Sequence, residues 1–347
     1  MKTTTLNKYP LNLTSIILLT LITSGCVKPE DIQKLSGSAQ GTSYHISFSS
    51  KKDIDLKTIA KSVEAEFSRI DKQLSNYRPD SAIEQFNASL SDQPQTVDAE
   101  IVSLIEQARS VSIASHGCYD LTIKPLFELW GFTKDELTPP DEKTIKTILH
   151  NVGLAQLEHL DANHLRKHNP DLKVDLSSIG QGYSVSRITG LLEQQGIKDY
   201  MVEIGGELQT RGQKPDGQPW RIALEKPLSG ERTLHKIITI NRTTPLAIMT
   251  SGTYRHYFDV DGKRYSHILD ARTGKPVTHT TVSVSVLHDD PTLADAWSTA
   301  LLCLGKNAGI EAANKAGVAA LFIEQQDEAF NEYASDSLAK LEQVSIK

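Results

Sequence analysis

The stretch KVDLSSIGQGYSVSRITGLLEQQG, residues 173–196, marks the point where the texture of the chain changes. Lys173 to Leu176 reads as a short strand, residues 177–182 as a Ser/Gly turn, and residues 183–195 as a helix that Gly196 can close. Before it the pattern is mostly helical. Residues 54–74 place Ile59, Val63, Phe67, Ile70 and Leu74 on one face, and residues 97–113 form a second amphipathic helix. Pro139, Pro140 and Asp141 read as a loop and N-cap before a helix ending at Leu149. After residue 196, short strands follow one another: YMVEIGGELQTRG, WRIALEKP, HKIITINR, LAIMTSG, YFDVDGKRYSHILD and VSVSVL. A helix over residues 293–304 and a strand in GVAALFIE close the pattern, while residues 41–49 alternate as an isolated early strand. Helices and strands segregate more than they alternate, so the expected class is α+β, one large mixed domain, rather than a doubly wound parallel sheet.

The N-terminus reads differently. Lys2 and Lys8 flank an apolar run over residues 11–22, shorter than the ~20 residues that span a bilayer and suited to a signal peptide. Ile22-Thr23-Ser24-Gly25-Cys26 resembles the lipobox of bacterial lipoproteins, in which cleavage leaves an acylated cysteine first. The expected organisation is therefore a signal peptide over 1–25, a polar tether over 26–39 with lipid on Cys26, and the domain over 40–347. Val27 is not the Asp that often marks inner-membrane retention. The periplasmic face of the inner membrane is the expectation, with the outer membrane left open.

The 347 residues are 39% hydrophobic and 23% charged with a net charge of −6, ordinary for a globular protein with a sizeable core. No basic stripe is present, which argues against nucleic acid as a partner. Cys118 and Cys303 could pair in an oxidising compartment, but their spacing does not demand it, and the reading taken is two unpaired buried thiols.

Several segments carry chemistry. Asp175, Ser177, Ser178, Gly180 and Gly182 build a turn into a helix, an arrangement that offers backbone N–H groups to an anion, although such turns are common helix entries. Gly205-Gly206 signals either a close backbone approach or a bulge. His267 and Asp270 close neighbouring strands. Asp295 and Thr299 lie four apart on one helix face, a carboxylate and a hydroxyl suited to a hard cation such as Mg²⁺.

The order of these segments is more telling than any one of them. QGTSYHI, LSNYRPDSAIEQFN, YDLTIKPLFELWGF, VDLSSIGQGY, VEIGGELQTRG, TSGTYRHYF, SHILDARTGKP and ADAWSTALLCLG together resemble the ApbE-type flavin transferases, over residues 40 to about 324. The resemblance implies the T-fold-like domain of that family, FAD as substrate, Mg²⁺ as cofactor, and transfer of FMN to a Thr or Ser hydroxyl with release of AMP. By motif match it places Gln40, Tyr77, Cys118, Tyr119, Asp120, Asp175, Gln181 and Ile268 against FAD. It gives Asp295 and Thr299 as metal ligands through their side chains, and Ser178 through its backbone oxygen. Gln40 stands where Met is usual, Gln181 where Lys or Glu is usual, Ala271 where Pro is usual, and Ser298 where some relatives are acidic. His267 is expected to be the base, because an imidazole titrates near neutrality, with Asp270 orienting it or contacting phosphate. The implied partners are flavin-carrying subunits of membrane redox complexes.

Two other readings share the site. An FAD pyrophosphatase would use water in place of the protein hydroxyl, and FMN released rapidly without a target would favour it. A flavin-binding lipoprotein would need no Asp295/Thr299 pair, and intact FAD held without turnover in Mg²⁺ would favour that.

Overall fold

The computed structural model describes Met1 and residues 31–347, apart from Asp135, Thr138, Ser229, Glu231, Arg232, Asp261 and the side chain of Lys263. Cys26, the expected signal peptide after Met1 and the start of the expected tether lie outside the described residues. No described helix is long and apolar enough to cross a membrane.

Eight strands make the central sheet: β1 Gln33–Ala39, β2 Thr42–Ser49, β3 Asp199–Ile204, β4 Glu207–Arg211, β5 Leu246–Gly252, β6 Thr281–His288, β7 Ala319–Gln326 and β8 Ala329–Ala334. Their order across the sheet is their order along the chain, and every neighbouring pair is antiparallel. The sheet is thus a meander with helices inserted into its connections. Six helices fill the link from β2 to β3: α1 Leu56–Leu74, α2 Ala82–Ala88, α3 Ala99–Ala114, α4 Lys124–Trp130, α5 Glu142–Leu149 and α6 Ser177–Gln194. A seventh, α7 Pro291–Ala316, joins β6 to β7. This is the segregated α+β arrangement expected from the pattern.

The apolar stripe of α1 is the one read from its spacing: Ile59, Val63, Phe67, Ile70 and Leu74 are its buried residues. They join Ile46 and Phe48 of β2, Ile179, Val185 and Leu192 of α6 and Leu301 of α7 in the main core. The opposite face of the sheet is covered by a three-stranded sheet, Trp220–Glu225, Leu234–Ile240 and Val344–Ile346. Trp220, Ile222, Ile238 and Ile240 there pack on Leu208, Leu246, Ile248 and Leu287. Strand β5 shows the division: Leu246 and Ile248 serve one core, Ala247 and Met249 the other. A third cluster, with Trp130, Phe132 and Ile145 against Leu269 and Ala271, fastens the α4–α5 lobe to the loops after β5.

Three sequence expectations are corrected. Residues 33–39 are not tether but β1, paired with β2 from Gln33↔Phe48 to Ala39↔Thr42. As an edge strand it exposes most of its side chains, so it can stay polar, and pairing comes from backbone and from the two-residue turn Gln40-Gly41, both with positive φ (52° and 74°). The helix read from residue 183 begins at Ser177, because Asp175 accepts from the Ser177 N–H and hydroxyl at its entry. The glycines that looked like turn residues lie inside the helix. At Gly182 a Cβ would come 2.3 Å from the Pro291 carbonyl oxygen and 2.6 Å from Asp295 Cβ, so this glycine lets α6 and α7 touch. Gly182→Ala should therefore cost about 1–3 kcal/mol through overpacking, read as a lowered thermal midpoint with a parallel loss of activity. The helix over 293–304 runs on to Ala316 across a kink at Gly305 (φ 72°), where His279 leaves no room for a Cβ.

Candidate functional site

The N-terminal turn of α6, the first turns of α7, the β3–β4 turn and the loops after β5 surround a cavity of about 340 Å³. Of the residues singled out from the sequence, Tyr77, Cys118, Tyr119, Asp120, Ser178, Gln181, His267, Ile268, Asp295 and Thr299 line it. Gln40, Asp175 and Asp270 do not. Gln40 shapes the β1–β2 turn and donates to Ser184 Oγ of α6 at 2.9 Å. Asp175 is buried beneath the start of α6 and holds its first residue. Asp120 is on the wall, yet its carboxylate already accepts from Thr122 N–H and hydroxyl and from Leu154 N–H at 2.6–2.8 Å. It locks the loop that presents Tyr119.

Asp295 is almost fully buried and accepts the Gly182 N–H at 2.8 Å. In an α-helix that N–H is directed at the carbonyl of residue 178, so the Ser178 carbonyl must share the Gly182 proton with Asp295 or go without it. That carbonyl oxygen gains capacity for another partner. Thr299 is bound to Ser251 Oγ at 3.0 Å, and Ser251 to Ser298 at 2.8 Å, giving a row of hydroxyls beside the carboxylate.

Reasoning from the sequence missed Glu207. It follows the Gly205-Gly206 turn, lines the same cavity and is buried, its carboxylate accepting only the Thr250 N–H among the described residues, at 2.9 Å. Burial and the neighbouring Asp295 hold its pKa well above the usual carboxylate range, and burial raises Asp295 as well. Two desolvated carboxylates facing one cavity repel each other and favour a shared cation. The signal was available: a carboxylate directly after a two-glycine turn. Both glycines have positive φ (62° and 100°), and a Cβ on Gly205 would lie 2.6 Å from Gln181 Nε2. The glycine pair is thus a hairpin turn that also makes a close approach, not a bulge.

His267 Nδ1 is 2.8 Å from the His256 carbonyl oxygen. A carbonyl only accepts, so Nδ1 carries the proton and Nε2 keeps its lone pair. Removal from water lowers the ring's pKa to about 4, so it is neutral at pH 7. The expectation that Asp270 orients this histidine is corrected. The Asp270 carboxylate binds the Arg272 guanidinium at 2.7 Å and the Arg272 N–H at 2.9 Å, closing its own turn.

Cys118 and Cys303, 185 positions apart in sequence, form a disulfide with Cα atoms 6.0 Å apart. This corrects the reading of two free thiols. Distant in sequence, they meet because α7 crosses beneath the loop after α3, and the bridge forms part of the cavity wall. Asp270 lies close to both sulfurs, but a disulfide has no thiolate to offer a metal. Reduction should lower stability by about 2–4 kcal/mol, read as a drop in thermal midpoint with dithiothreitol that a Cys303→Ser variant no longer shows.

Comparisons with known proteins agree with this geometry. The model of the ApbE family matches residues 40–322. The FAD:protein FMN transferase of Vibrio cholerae is 38% identical over 323 residues, 91% of this chain and 95% of that protein. The enzyme of the same name from Escherichia coli is 34% identical over 88% of both chains. The flavin transferase ApbE structure from Vibrio cholerae superposes with a TM-score of 0.81 at 35% identity, over 90% of this chain and 100% of that one. The apo flavinyl transferase ApbE of Pseudomonas stutzeri gives 0.82 at 33%, over 90% and 97%. With most of its length matched by the family model, and with relatives above 30% identity across nearly all of it, this chain belongs to the ApbE family.

Proposed function

We propose that this protein transfers the FMN portion of FAD to a Thr or Ser hydroxyl of a target protein and releases AMP. The observation that carries the reading is one cavity in which the buried acids Asp295 and Glu207 and the hydroxyls of Ser251 and Thr299 face the same space as a neutral His267. The names of the relatives supply the substrate class.

The reaction breaks a phosphoanhydride. The target's hydroxyl oxygen attacks the phosphorus on the FMN side, its proton passes to His267 Nε2, and the bond from that phosphorus to the bridging oxygen breaks. AMP leaves with the bridging oxygen. His256 fixes the tautomer through its carbonyl, so His267 is poised to accept without first losing a proton. Asp295, Thr299 and the Ser178 carbonyl, with Glu207 beside them, make a hard oxygen set suited to Mg²⁺. When bound, that ion would neutralise charge on the phosphates. Gly182 and Thr250 keep the two carboxylates in place through their N–H groups.

We place the protein on the periplasmic face of a bacterial membrane, held by lipid on Cys26. The Cys118–Cys303 disulfide supports an oxidising compartment, and the lipobox-like segment supports the anchor. There the domain would meet extracytoplasmic parts of membrane flavoproteins.

Purified protein incubated with FAD, Mg²⁺ and membranes from a strain lacking the gene tests the function. The expected result is a flavin-fluorescent band that survives denaturing electrophoresis. FMN released at the same rate without membranes, and no such band, would instead establish a pyrophosphatase.

A further inference from the structure

The charge balance of the cavity is unusual for a site that admits a pyrophosphate. Three acidic residues line it, Asp120 (whose carboxylate is held by Thr122 and Leu154), Glu207 and Asp295, and among the described lining residues Arg255 is the one lysine or arginine. The pyrophosphate of FAD brings further negative charge into this space, and phosphate oxygens are best met by a guanidinium, whose fork of N–H donors matches them.

Arg255 is placed for that task. It directly precedes His256, whose carbonyl holds His267 Nδ1, so cation and base are fixed to one turn after β5. A phosphate placed for attack assisted by His267 therefore lies beside the chain that carries Arg255. The guanidinium also reaches the β3–β4 turn: a Cβ on Gly206 would lie 3.6 Å from Arg255 Nη2. Within the protein its charge acts on Glu207, and it interacts with Tyr254 and Glu225. The Glu225 carboxylate is 3.6 Å away, beyond hydrogen-bond distance, with both side chains partly exposed, and the guanidinium lies 5.5 Å from the Tyr254 ring centroid. Such a surface ion pair is worth little and is readily exchanged for a phosphate.

We propose that Arg255 is the residue that recognises the pyrophosphate of FAD. The proposal rests on the reading of the cavity as the FAD site. It assigns to Arg255 a contact that FAD has and riboflavin lacks.

Flavin fluorescence quenching in metal-free buffer with EDTA tests this, comparing FAD with riboflavin on wild type, Arg255→Gln and Arg255→Lys. Arg255→Gln should weaken FAD binding by about 10- to 100-fold, the scale of hydrogen bonds to charged groups, and leave riboflavin affinity within about twofold of wild type. Arg255→Lys should fall between them, because it keeps the charge and loses the fork. Unchanged riboflavin binding also serves as the fold control. FAD affinity equal in wild type and Arg255→Gln, or an equal loss for riboflavin, would overturn the assignment while leaving the transferase reading intact. A wild-type protein that binds riboflavin and FAD with the same affinity would likewise remove any phosphate-recognising residue, and one that binds neither would remove the flavin site itself.

Discussion

Asp295→Asn should abolish FMN transfer at every magnesium concentration, with a loss of about 10³-fold or more. The substitution is chosen to separate charge from architecture. Asparagine keeps the volume of the side chain and an oxygen that can accept the Gly182 N–H, the bond that ties α7 to α6. What it removes is the negative charge in a buried place that Glu207, Thr299 and Ser178 also line. Magnesium titration of the transfer rate, with calorimetry of magnesium binding in the presence of FAD, should lose its signal in the variant while the thermal midpoint stays close to that of wild type. A variant that still transfers at the wild-type rate, with the same dependence on magnesium, would remove Asp295 from the metal site.

His267→Ala should leave FAD binding intact and slow transfer by about 10²- to 10⁴-fold, the usual contribution of a positioned base. The pH profile offers a second readout. A base works in its neutral form, so its rate falls when pH drops through its pKa. Burial lowers His267 to about 4, well below the 6.5 of an exposed imidazole. The wild-type rate should therefore show no acid limb from this residue between pH 7 and about 5. An acid limb centred near 6.5, absent in His267→Ala, would show that the ring is less protected than its hydrogen bond to His256 and its packing imply.

What the sequence made legible follows from how each feature is encoded. The buried face of α1 is written in residues three and four apart and needs nothing from the rest of the chain. The cap of α5 is equally local: Asp141 accepts from the Thr144 N–H at 2.8 Å, as its position before the helix suggested. Strand β1 was hidden because an edge strand exposed along most of its length needs no apolar alternation. The start of α6 was hidden because Gly180 and Gly182 look like a turn unless the helix crossing at Pro291 is known. The Cys118–Cys303 pairing, across 185 residues, has no local signature. The same holds for the convergence of Glu207 with Asp295, which come from a hairpin and a helix far apart in sequence. Single residues with a chemical identity were visible one by one. Their meeting, and the diversion of Asp270 to its own turn, belong to the fold.

The central claim is that this cavity moves FMN onto protein. The most direct measurement is mass spectrometry of peptides from membrane flavoproteins, taken from a strain lacking the gene and from the same strain with the gene restored. The account predicts a Thr- or Ser-containing peptide that gains the mass of FMN less one water only when the gene is present, and not when it carries His267→Ala. The same modified peptide in the strain without the gene would contradict it.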